Sequence, residues 1–121
     1  MTNYKQLEAW KKSMQLVKEV YTVTKEFPKE ELYSLTSQIK RAAVSVPSNI
    51  AEGTGRNYKK DTIQFLHISR GSLYELDTQL SIAVLIDILP RKSFELIYQM
   101  IEECQKILNG LISYYEKSIL K

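Results

Sequence analysis

Apolar residues recur at spacings of three and four through almost the whole chain, and prolines separate the long segments at Pro28 and Pro90. Four Gly and three Pro in 121 residues is sparse punctuation. Such a chain favours long amphipathic helices on short links, and no strand-like alternation of useful length competes with them. In the first segment Leu7, Trp10, Met14, Val17, Tyr21 and Thr24 share one helical face. That helix is expected to stop near Phe27, because a residue before proline is pushed out of the helical region. A second begins after Lys29 and carries Leu32, Leu35, Ile39, Ala42, Ala43, Val46 and Ile50 to a C-terminal stop at Gly53. The third, from about Tyr58 to Ile88, aligns Phe65, Leu66, Ser69, Leu73, Leu76, Leu80, Ala83 and Val84. A fourth after Pro90 aligns Phe94, Ile97, Ile101, Cys104, Leu108, Leu111 and Tyr115.

Short links force sequential helices to run antiparallel, so the expected fold is all-α: an up-and-down antiparallel four-helix bundle, one domain over residues 1–121. A helix of about 28 residues is about 42 Å long, which makes the bundle a rod. Apolar residues spill beyond one stripe, at Leu16, Val20 and Val23, at Ile68, Ile82 and Ile86, and at Ile107, Tyr114 and Ile119. A second stripe is expected where a second surface is covered, which argues for a homo-oligomer; the alternative is a wide core face in a monomer.

Composition excludes several function classes. No apolar run approaches the roughly 20 residues of a spanning helix, and no signal-peptide core is present, so a soluble, cytoplasmic protein without membrane contact is expected. One cysteine, Cys104, and one histidine, His67, leave few catalytic parts and no thiolate metal cluster. Neither a metal, a cofactor nor a small-molecule substrate is indicated.

The second helix breaks ordinary rules. Proline inside a helix removes a hydrogen bond and crowds the preceding turn, at about 3 kcal/mol. Pro47 nevertheless lies between Val46 and Ile50, which keep the helical phase, so a proline kink is expected here. Its small neighbours Ala42, Ala43, Ser45, Ser48 and Ala51 allow another helix to approach closely, and Ser45 or Ser48 can bond the freed carbonyls. Pro47 then either curves the helix around the core or aims Asn49, Glu52 and the following loop at a partner.

Charge is concentrated in the same region. Lys40 to Arg70 holds Lys40, Arg41, Arg56, Lys59, Lys60 and Arg70 against Glu52 and Asp61, while the rest of the chain is slightly acidic and the whole carries +3. Lys59 and Lys60 fall in the first turn of the third helix, where the macrodipole disfavours cations but favours a bound phosphate. Gly53-Thr54-Gly55-Arg56 is not a nucleotide loop, since GxxxxGK[ST] is absent. The corner is either a solvated basic surface or an anion site, and Tyr58 either stacks on an unpaired base or covers the core.

Catalytic signatures are weak. His67 and Arg70 share a helical face and have the residue types of a metal-independent nuclease, but no second acid or base accompanies them in sequence. Glu75 and Asp77 point apart and are expected to pair with Arg41 or Lys40 of the neighbouring helix. Cys104 falls on an apolar stripe and reads as core.

Leu7-Glu-Ala-Trp10, Phe27-Pro-Lys-Glu30, the run from Leu35 to Arg56 and Phe65-Leu-His-Ile-Ser-Arg-Gly-Ser-Leu-Tyr-Glu-Leu76 resemble the bacterial four-helix-bundle family encoded in intervening sequences of 23S ribosomal RNA genes. Members are sometimes labelled ribosomal proteins, a label that does not mean ribosome membership. The resemblance covers about Tyr4 to Tyr115 and implies an up-and-down bundle that assembles into a ring-like homopentamer. The chain is also similar to the accessory protein of diversity-generating retroelements, a basic pentameric barrel thought to bind nucleic acid and a reverse transcriptase.

Residues and resemblance together lead to a non-enzymatic homo-oligomer with RNA as candidate partner, bound through Lys40, Arg41, Arg56, Lys59 and Lys60. The rival is a structural or protein-binding scaffold, in which Arg41, Pro47, Asn49, Glu52, Gly53 and Arg56 serve packing and subunit contact.

Overall fold

A computed structural model describes residues 3–120, and Met1, Thr2 and Lys121 lie outside the described residues. Four helices make up the bundle: α1 (Glu8–Thr24), α2 (Leu35–Thr54), α3 (Lys59–Leu85) and α4 (Arg91–Ile119). Short 3-10 turns at Tyr4–Gln6 and Lys29–Glu31 precede α1 and α2. Each helix packs on its sequence neighbours and α4 closes the ring against α1, while the backbones of the diagonal pairs α1–α3 and α2–α4 stay apart. The expected four-helix bundle is therefore the observed architecture.

Ten side chains of Leu and Ile, with Val20 and Val46, are sealed almost completely from solvent, among them Leu16, Ile39, Leu66, Leu76, Ile97 and Leu108. Burying each contributes about 1.5–3 kcal/mol, so this core supplies most of the driving force. The stripes expected on α3 and α4 point inward: Leu66, Leu73, Leu76, Leu80 and Ala83 on one, Ile97, Ile101, Cys104 and Leu108 on the other. Of the additional apolar residues, Ile68, Ile82, Ile86, Tyr114 and Ile119 are exposed, whereas Leu16 and Val20 belong to the core and Val23 and Ile107 pack against it.

On α1 the expected face is only partly inward: Thr24 is buried, whereas Leu7, Trp10 and Val17 pack against the core but flank the central stripe. The buried stripe is Ala9, Ser13, Leu16, Val20 and Thr24, whereas Met14 and Tyr21 are 43% and 40% exposed and Trp10 and Val17 are half-buried. Both stripes are apolar and have helical spacing. The inward one is chosen because small Ala9 and Ser13 let α1 approach its neighbours, while the larger residues flank the contact. With Val44, Pro47, Ser48 and Ala51 of α2, and Tyr4, the flanking residues Trp10, Met14 and Val17 line an open groove of about 320 Å³.

Two helix boundaries also differ from expectation. After Pro28 the chain makes one 3-10 turn, and Ser34 (φ −124°, ψ −100°) separates it from α2, so the helix starts at Leu35 and leaves Leu32 outside it. The Ser34 hydroxyl donates to Glu31 Oε1 at 2.8 Å instead of capping α2. The third helix ends at Leu85, not Ile88, because Asp87 adopts a left-handed backbone (φ 65°) and the Ile88 and Leu89 N–H groups turn back to the Ala83 carbonyl. Asp tolerates this region better than most residues.

α2 runs through Pro47 as one helix. The kink expected there remains an expectation; the polar contacts around it are new. Ser45 pairs with Ser72 Oγ of α3 at 2.8 Å, rather than with a carbonyl of its own helix. Ser69 Oγ donates to the Val46 carbonyl at 2.8 Å, and Thr62 Oγ1 to the Gly53 carbonyl at 2.7 Å. α2 and α3 are thus joined at three levels by hydroxyl groups.

Gly53 lies within α2, one residue short of its end, and is buried. A Cβ there would stand 2.6 Å from Phe65 Cβ and 3.1 Å from the Thr62 carbonyl oxygen. Its job is close approach of α3, and the helix stop expected at this glycine falls after Thr54. Replacing Gly53 by Ala should destabilise the fold by about 1–3 kcal/mol through overpacking. Gly110, exposed on α4 with open space around its Cβ position, should instead gain up to about 1 kcal/mol on Gly110→Ala. Chemical denaturation of the two variants checks both signs.

Candidate functional site

The corner between α2 and α3 is built by three local devices. Thr54 Oγ1 donates to the Ile50 carbonyl at 2.9 Å, closing the last turn of α2. The Arg56 N–H returns to the Gly53 carbonyl at 3.1 Å, so the chain reverses immediately. Tyr58, extended and 72% exposed, then precedes Lys59 without a side-chain cap on α3. Lys59 and Lys60 are exposed in that first turn beside Asp61. Neither lysine has an ion-pair partner among the described residues, where the pairs are Lys11–Glu8, Lys12–Glu103 and Arg56–Glu52.

The five expected polyanion contacts do not form one surface on the protomer. Arg41 lies in the first half of α2 and Arg56 two residues past its end, so about 20 Å of helix separates them. Lys40 lies over the Tyr21 ring at 4.9 Å, a cation–π contact, and Arg41 shares an open depression with Tyr21, Leu32, Tyr33 and Val44. At the other end Arg56 bonds Glu52 and covers the Phe65 ring at 4.7 Å. Its charge is largely answered by the last turn of α2. The corner therefore presents Lys59 and Lys60 as its free cations, and Lys40–Arg41 is a separate basic spot.

Residues read as a packing or interface motif have contacts inside the protomer. Asn49 Nδ2 donates to the Ser45 carbonyl at 2.8 Å and to Ser45 Oγ at 2.9 Å, so the amide is held on α2 rather than capping its end. Pro47 is buried beside the groove toward α1, and Gly53 is pressed against Phe65.

The groups considered for chemistry are dispersed. Among the described residues no group of three or more His, Cys, Asp or Glu is placed to hold a metal ion. His67 Nδ1 and the Arg70 guanidinium are 2.8 Å apart; since Arg only donates, Nδ1 accepts. Arg70 also reaches Asn109 Oδ1 of α4 at 3.0 Å, a partner 39 positions away that no local pattern could have revealed. Glu75 and Asp77 do not pair with Arg41 or Lys40 as expected: Glu75 accepts from Gln79 at 3.3 Å and Asp77 from Ser81 at 3.4 Å. Lys40 lies on Tyr21 instead, and short same-helix partners are closer for both acids.

Cys104 is buried in the core. Burial pushes its thiol up to about 11, with Glu103 adding to the rise and Lys12 opposing it. The native state thus keeps its proton over a range where the unfolded chain has lost it, and this contribution to stability declines as pH rises from about 9 to about 11. Alkylation by iodoacetamide at mildly alkaline pH should be slow in the native protein and fast once it is denatured, as mass spectrometry would record.

Fold and corner define an all-α bundle with a basic helix–helix turn. Residues 5–110 match the family model described as "23S rRNA-intervening sequence protein". The chain belongs to that family. It is also similar to the crystal structure of a protein of unknown function from the S23 ribosomal protein family of Bacteroides thetaiotaomicron, with 23% identity and a TM-score of 0.80 over 87% of this chain and 95% of that one. The likeness establishes the fold. A comparison with the curated proteins returns no match. No helix among the described residues is long and apolar enough to cross a membrane.

Proposed function

We propose that this protein is a non-enzymatic, cytoplasmic homo-oligomer, a ring-like pentamer as its family resemblance implies, that binds RNA through the α2–α3 corner. The observation that carries the reading is the exposure of Lys59 and Lys60 at the start of α3, without carboxylate partners among the described residues. Two adjacent cations at a helix start favour a polyanion over any neutral ligand, because the backbone N–H groups of the first turn add to their field. The family description names an intervening sequence of 23S rRNA, which makes RNA the polyanion to test first.

Self-association is supported by the apolar surface left uncovered. Met14, Tyr21, Leu32, Tyr33 and Val44 are all exposed around the α1–α2 side, an arrangement that a neighbouring subunit would cover. Symmetry then repeats the two-lysine corner, so a weak protomer site becomes a multivalent one. Lys40 and Arg41 border this surface and form its basic end, whereas Asn49, Glu52 and Arg56 lie toward α3.

Light scattering should give a mass near five times the 14.1 kDa of the chain. Binding of the intact oligomer to labelled RNA should weaken with salt, and Lys59→Glu with Lys60→Glu should lower the log–log slope by about two per protomer engaged. A stable oligomer that shows no RNA binding, or binding indifferent to salt, would leave the scaffold reading in its place.

A further inference from the structure

We propose that the α3 face from Lys60 to Tyr74 is a track for single-stranded RNA, with Arg70 as its phosphate-binding centre; this rests on the RNA reading above and extends it to a site away from the corner. Arg70 is half-buried, and its guanidinium is held from two sides by acceptors that carry no negative charge, His67 Nδ1 at 2.8 Å and Asn109 Oδ1 at 3.0 Å. No carboxylate pairs with it among the described residues. Arg56, by contrast, is answered by Glu52. A guanidinium has five donors, so two neutral contacts orient Arg70 and leave donors and full charge for a phosphate. The usual entropy loss of ordering a long cationic side chain on binding is thereby reduced.

The neighbouring residues continue the same chemistry. Lys60, Gln64, His67, Arg70 and Tyr74 follow one another at spacings of three and four and so share a face of α3. Lys60, Gln64 and His67, with Ile63 and Ile68, border an open depression of about 550 Å³. Lys60 and Arg70 are about 15 Å apart along the helix, far enough for one strand to place separate phosphates on each. Tyr74 is 55% exposed beyond Arg70, and exposed Tyr58 stands before Lys59 at the other end. Cations between two exposed aromatic rings are the arrangement that binds unpaired nucleotides, since a ring can stack on a base only where the base is not already stacked in a duplex.

The test uses the native assembly, a labelled single-stranded RNA of mixed sequence, and a hairpin of the same composition, each titrated over a series of salt concentrations. The single strand should bind more tightly than the hairpin. Arg70→Gln should weaken single-strand binding about tenfold and reduce the log–log salt slope by about one, while Arg70→Lys, which keeps the charge, should retain the slope. Tyr74→Leu should lower affinity several-fold with the slope unchanged, because stacking releases no counterions. An Arg70→Gln protein with wild-type affinity and slope, or equal binding of strand and hairpin, would overturn the track while leaving the corner reading intact if the Lys59 and Lys60 variant still loses binding. Absence of RNA binding by the wild-type assembly would overturn both.

Discussion

The close approach of α2 and α3 is the contact on which the remaining geometry depends. It requires a residue without Cβ at Gly53, because Phe65 occupies the space that a methyl group would need. Around that point the hydroxyls of Ser69 and Thr62 reach carbonyls of the opposite helix, and Ser45 meets Ser72. Each such bond contributes only about 1 kcal/mol net, but leaving a buried partner unsatisfied costs more, so these pairs penalise a shifted register. Thr62 Oγ1 on the Gly53 carbonyl ties the first turn of α3 to the last turn of α2. The position of Lys59 and Lys60, and the side of α3 that faces outward, follow from that tie.

The same contact divides the charges of the chain by role. Arg56 is neutralised by Glu52 and stacked on Phe65, so it consolidates the corner from outside. Lys40 is held on Tyr21, more than half the length of α2 away. Arg70 bridges to α4 through Asn109 without meeting an acid. A basic cluster in sequence thus becomes a set of cations in different settings, of which the lysines at the start of α3 and Arg70 have no carboxylate partner among the described residues. Proposed binding to RNA draws on those and not on the count of bases.

Much of the architecture was legible in the sequence. Periodic spacing on α3 and α4 picked out Leu66, Leu73, Leu76, Ile97, Ile101 and Leu108 as inward-facing, because on those helices the best apolar stripe is also the one whose size fits the core. On α1 this succeeded only in part: Trp10 and Val17 pack at the edge of the core and Met14 and Tyr21 are exposed, while Ala9, Ser13, Leu16 and Val20 go inside. Hydrophobicity ranks faces by transfer free energy, whereas the interior selects also for volume. Gly53 was noticed as a helix stop, a local property, although its use is a contact with Phe65, which no local pattern contains. Asn109 was not noticed at all, since an isolated asparagine on an exposed helix face has no signature until Arg70 is seen opposite it.

What the sequence by itself determined is the kind of structure: four long helices separated at Pro28, near Gly55 to Tyr58 and at Pro90, an apolar core, a family, and a concentration of positive charge between Lys40 and Arg70. Those are properties of spacing and composition, which a chain carries before it folds. Only the tertiary structure decided which of the two stripes on α1 is core, that Lys40 and Arg41 are remote from Lys59 and Lys60, and that Arg70 is held by neutral partners on two helices. These outcomes depend on pair distances between residues far apart in the chain. A rise of 1.5 Å per residue separates groups that look adjacent in a list of charges, and antiparallel packing joins groups that look unrelated.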